Sequence, residues 1–170
     1  MVYNSNFTGS QVDLSVGEKV KTQSNEPTLF TGITTSNNPS PQVLTAGVWK
    51  DVEFVDALFL AQGDFSYIND KIVYTGVKDK TIELNITCNL ACNTINSVVT
   101  LSQWINGIED TASSNTSKSE SNTSRVPFAI SNKFDLTNGD EINLRILSSL
   151  NSTVNMYNFS VTLETLEIID

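Results

Sequence analysis

Residues 80–88 read KTIELNITC, and this stretch decides the fold class. Ile82, Leu84, Ile86 and Cys88 fall on one side of an extended chain, with Thr81, Glu83, Asn85 and Thr87 on the other. A period of two is the pattern of a half-buried strand. It returns in VVTLSQWI (98–105), with Val99, Leu101 and Ile105 on one side and Gln103 interrupting, and in EINLRIL (141–147), with Ile142, Leu144 and Ile146. In YNFSVTLETLEI (157–168) it runs through Tyr157, Phe159, Val161 and Leu163, then slips to Leu166 and Ile168, which predicts a β-bulge near Thr165. VWKDVEF, FSYI, KIVYT and VPFAI are shorter candidates, the last carrying Pro127 and so belonging on an edge or at a strand start. Helical periodicity is absent over any useful window. The expectation is an all-β antiparallel jelly-roll sandwich of about eight to ten strands.

Upstream the pattern changes. To Pro41 the chain is polar, with one alternating patch at Val12, Leu14 and Val16, and SNNPSP (36–41) carries two prolines that disfavour helix and central strand. Residues 1–42 are read as an extended N-terminal anchoring arm and 43–170 as the jelly-roll domain. The arm's apolar residues, Val12, Leu14, Val16, Leu29, Phe30 and Ile33, are those a partner would bury. Between the strands, EDTASSNTSKSESNTS (109–124) is too polar for a core and is expected to be an exposed loop, either a recognition loop or a solvated connector.

Composition narrows the function. Hydrophobic residues at 39% of 170 suffice for one core, and a formal net charge of −9 opposes a phosphate backbone, so nucleic acid is not an expected partner. No apolar run is long enough to span a bilayer, and MVYNSNFTGSQ lacks the layout of a signal peptide; neither membrane nor secretory export is expected. With no histidine, the usual general base and the commonest metal ligand are missing. The carboxylate pairs Glu109–Asp110 and Asp140–Glu141 are sequence neighbours that face opposite sides on a strand, and Asp64 and Asp70 lack the spacing of a calcium loop. No catalytic residue, cofactor or metal site is assigned. Cys88 and Cys92 read as small apolar residues or as a hairpin disulfide across NLA.

The turns have a chemistry of their own. Asn106-Gly107 is the pair best able to take positive φ at both central positions of a tight turn, and Gly139-Asp140 permits a left-handed turn before the next strand. The succession DFSYINDKIVYTG, an alternating strand, VVTLSQWINGIE, then FDLTNGDEINLRIL and an aromatic-rich closing strand resembles the tumour-necrosis-factor-like and complement-head-like jelly rolls of tailed-phage virion proteins. The resemblance rests on Tyr74-Thr75-Gly76, Asn106-Gly107, and Leu136 with Gly139-Asp140, and it spans about residues 44–169. It implies a homotrimer.

Trp104 falls on the face opposite Leu101, where three readings stand: contact with another subunit, cover by its own chain, or sugar stacking. The function expected is a non-enzymatic virion protein, a trimeric decoration or head-fibre protein on the capsid surface, made in the host cytoplasm. Its arm would bind the major capsid protein or a neighbouring virion component, with a host surface glycan as a further partner. The alternatives are a tail-tip receptor-binding protein of the same fold and a secreted lectin-like or signalling module.

Overall fold

A computed structural model of the chain describes residues 29–33, 40–54, 58–61, 63–121 and 124–169. They build two antiparallel sheets. The first has six strands in the order β11 (Val126–Leu136), β7 (Lys80–Cys92), β13 (Ser152–Ile168), β1 (Leu29–Ile33) and β4 (Leu58–Ala61), with β2 (Ser40–Leu44) also paired to β13. The second has seven, in the order β10 (Asn115–Lys118), β8 (Val98–Ile105), β12 (Glu141–Ser148), β6 (Lys71–Tyr74) and β5 (Phe65–Ile68). Here β3 (Lys50–Asp51) pairs with β12 and β9 (Ile108–Glu109) with β8.

The alternation read from the sequence places the core. Ile82, Leu84, Ile86 and Cys88 of β7 are buried and join Val99, Leu101, Ile142, Leu144 and Ile146 of the opposite sheet in one apolar cluster. Each large side chain fully removed from water contributes about 1.5–3 kcal/mol. Gln103, the interruption in β8, also points inward and is fully buried; its carbonyl accepts from Asn132, whose amide also donates to Asp110.

The phase of β13 changes twice. Its register against β7 shifts between Thr165 and Glu167, where the sequence predicted a bulge, and also between Tyr157 and Ser160, where it did not. Asn158 takes a positive φ of 50° there, so Val154 and Met156 before it and Phe159, Val161 and Leu163 after it all reach the core. One inserted residue flips every side chain beyond it. Tyr157, expected in phase with Phe159, is therefore half-buried outside the core, with the Arg125 guanidinium stacked 3.8 Å from its ring centroid.

Three further expectations are revised. The boundary read at residue 42 falls within β2: Leu29–Ile33 pairs with both β13 and β4, and Ser40–Leu44 with β13. Pro41 fits because β2 pairs on one side alone among the described residues. The 109–124 segment is not simply a loop: Glu109 ends β9, a short 3-10 turn at Thr111–Ser113 capped by Asp110 follows, and β10 pairs with β8. Its polarity suits an edge strand, where the backbone is satisfied on one side and polar side chains discourage further pairing. The described residues hold thirteen strands against about eight to ten, the surplus coming from β1, β2 and short edge pieces; VWKDVEF contributes β3 alone. Pro127 lies near the start of β11, the outer strand of its sheet.

Cys88 and Cys92 are free and buried on one strand, and burial pushes the Cys88 thiol up to about 12. Four residues of strand span about 13 Å, beyond disulfide reach. A thiol reagent at neutral pH should find neither cysteine in the folded protein and both in denaturant; rapid labelling of the native chain would contradict this burial. A second expectation concerns Gly76, where an added Cβ would fall on the fully buried Tyr74 ring and hydroxyl. Gly76→Ala should lower stability by about 1–3 kcal/mol in urea denaturation, as overpacked cores do.

Candidate binding site

The three motif turns meet at one end of the sandwich. Asn106 and Gly107, with φ of 52° and 77°, form the two-residue link between β8 and β9. Asn106 donates from its amide to Asp140 Oδ1 at 2.8 Å and accepts from the Glu141 N–H at 2.9 Å. The Gly139 N–H donates to the Tyr74 carbonyl at 2.8 Å, and the Asn138 amide to the Gly76 carbonyl at 2.8 Å. Tyr74 donates its hydroxyl to the Lys78 carbonyl; its ionisation is pushed up to about 12 by burial, then by the charges of Asp64 and Asp79. The carboxylates considered for chemistry are held by the fold: Asp64 accepts from Lys80 Nζ at 2.6 Å, Asp70 from the Tyr67 hydroxyl at 2.7 Å, and Glu141 from Lys71 Nζ at 2.5 Å. Among the described residues no three or more Cys, Asp or Glu side chains gather to hold a metal ion, and no helix is long and apolar enough to cross a membrane.

The outer face of the seven-stranded sheet carries a different cluster. Because Leu101 faces the core, Trp104 lies outside it, opposite Asn143 of β12 and Glu109 of β9. Its ring meets Trp49 edge-on, with centroids 5.7 Å apart, and the Arg145 guanidinium covers its face at 4.2 Å. Arg145 is the cross-strand partner of Asp51, and its Nε donates to Asp51 Oδ1 at 2.6 Å. Asn143, nearly fully buried, donates to the same oxygen at 2.7 Å. Two aromatic rings, a stacked cation and a carboxylate are thus fixed against one another on the outer face of this sheet.

No family model and no curated protein matches the chain by sequence. Its backbone does match solved structures. Eiger TNF from S. frugiperda aligns with a TM-score of 0.58 at 8% identity, over 85% of this chain and 96% of that one. Murine APRIL at pH 8.0 aligns with 0.58 at 12% identity, over 83% and 100%. The fold is a tumour-necrosis-factor-like jelly roll. PRD1 vertex protein P5 shares it, with a TM-score of 0.50 at 12% identity over 82% of this chain and 97% of that one.

The residues singled out from the sequence are scattered over this jelly roll. Val12, Leu14 and Val16 lie outside the described residues. Leu29, Phe30 and Ile33 belong to β1, whose backbone is paired on both sides. Trp104 has cover from its own chain in Trp49 and Arg145. Asp51, Asn143 and Arg145 were missed because each is an ordinary polar residue on the outward phase of its strand; only the β3–β12–β8 register brings them beside Trp104.

The turn cluster makes a testable prediction. Burial raises the Asp140 carboxyl, but hydrogen bonds from the Thr137 N–H, the Asn106 amide and the Thr137 hydroxyl outweigh it and hold the group below its usual range. A depressed carboxylate contributes stability that is complete above its unfolded value of about 3.9 and is lost as pH falls through the folded value. Asp140→Asn should cost about 1 kcal/mol at neutral pH and flatten the acid limb of a urea-denaturation series below about pH 4. An unchanged acid limb would remove Asp140 from that account.

Proposed function

We propose that the chain is a non-enzymatic structural protein of a phage virion, a homotrimeric jelly roll displayed on the particle surface as a decoration or head-fibre protein. The observation that carries this reading is the fold shared with PRD1 vertex protein P5 over 82% of the chain. The lack of any histidine and the engagement of Asp64, Asp70 and Asp140 within the fold support a role without catalysis. The anchor falls to residues 1–28, which include Val12, Leu14 and Val16, since β1 already serves the sheet. At about 1.5–3 kcal/mol for each fully buried large side chain, three such residues suffice for a weak grip, and three copies in one trimer add avidity. Adhesion, the reading expected of a tail-tip protein, is favoured by one observation: the outward cluster of Trp49, Trp104 and Arg145.

Light scattering on the isolated protein should give about three times the 18.6 kDa chain mass. Deleting residues 1–28 should leave a folded trimer that no longer decorates particles lacking the native protein. A monomer at micromolar concentration removes the trimer, and undiminished binding by the truncated form moves the anchor into the jelly roll.

A further inference from the structure

We infer that the outer face of the seven-stranded sheet carries a subsite for a neutral pyranose ring, formed by Trp49, Trp104, Arg145 and Asp51. This rests on the adhesion reading above and gives it a ligand class. A pyranose has an apolar face of C–H bonds and an equator of hydroxyls, so it is recognised by an aromatic ring beside fixed hydrogen-bonding groups. The cluster supplies both. Trp49 and Trp104 hold each other edge-on at 5.7 Å, and the Arg145 guanidinium covers one face of Trp104 at 4.2 Å, which fixes the pair and leaves its other ring surfaces for a sugar. Both protein hydrogen bonds to Asp51 end on Oδ1, from Asn143 and Arg145, so among the described residues Oδ2 remains free to accept from a hydroxyl. Asn143 at 4% exposure fixes the carboxylate from beneath. That arrangement lowers the entropy of ordering the site on binding.

A subunit contact, the first occupant expected at Trp104, asks for an apolar core around the indole, and the side chains directly beside it are polar. Stable interfaces bury about 800 Å² on each partner around an apolar core. Here the cross-strand neighbours of the indole are Asn143 and Glu109, and a Thr100–Thr116 hydroxyl pair lies further along the same strand. The preference for an uncharged sugar follows from the same groups. An anionic sugar would meet the Asp51 carboxylate on a chain of net charge −9, while the nearby cation, Arg145, is already paired to that carboxylate.

The chain has two tryptophans and both lie in this cluster, so intrinsic fluorescence reads the site without a label. The full-length protein is titrated with methyl glycosides of glucose, galactose and N-acetylglucosamine, with sialic acid as the anionic comparison. A saturable emission change is expected for at least one neutral glycoside, with a dissociation constant in roughly the millimolar range for one ring, and a weaker response to sialic acid. Trp104→Ala should weaken binding about tenfold or more. Should that variant fail to fold, Asp51→Asn keeps the shape and should still weaken neutral sugars several-fold, while narrowing the discrimination against sialic acid. No saturable change up to about 50 mM of any neutral glycoside overturns the inference, as does undiminished affinity in a folded variant. An emission that shifts on dilution together with the scattered mass overturns it too, because the indoles would then lie in a subunit contact. Particle decoration and chain count are measured separately, so loss of the sugar site would leave the virion reading to its own tests.

Discussion

The pairing of β7 with β13 governs the rest of the molecule. These are the longest strands, thirteen and seventeen residues, and they lie side by side in the middle of the six-stranded sheet. A strand of that length must pair its backbone groups while keeping one face dry, and a single lost register would turn its apolar residues to solvent. The chain meets both demands with two irregularities in β13, one at Asn158 and one near Thr165, which let the strand follow its partner and still present Val154, Met156, Phe159, Val161 and Leu163 inward. The opposite sheet packs on the surface so formed.

Order at the end of the sandwich has a second origin. Two buried groups, the Tyr74 ring and the Lys80 ammonium, are accommodated because turns converge on them: Gly76 lies against the ring, the Lys78 carbonyl takes its hydroxyl, and Asp64 pairs the ammonium. Asn106, Asn138 and Asp140 then tie separate turns together through side-chain hydrogen bonds. A buried cation left alone would be costly, so this end is specified by polar satisfaction as much as by apolar packing.

The outer face of the seven-stranded sheet follows neither rule. Its two indoles are partly buried against each other and under the Arg145 guanidinium, so this cluster is held by ring and cation stacking in place of an apolar core.

By itself the sequence determined the all-β class, the inward sets of β7, β8 and β12, the Asn106-Gly107 hairpin and the bulge near Thr165. Each of these follows from local rules: a period of two, the φ preference of Asn-Gly, and a visible slip in phase. Only the tertiary structure decided that Leu29–Ile33 joins the sheet, that the Ser/Thr-rich 109–124 segment contributes the edge strand β10, and that Tyr157 turns away from the core. A polar segment shows no alternation to read when its pairing is set by a neighbouring edge, and the bulge at Asn158 preserves an apparent alternation while reversing its sense. The cluster around Trp104 is the furthest case. Asp51, Asn143 and Arg145 reach one another across up to 94 positions of chain, and their meeting is written in strand register, which forms only when both sheets are in place.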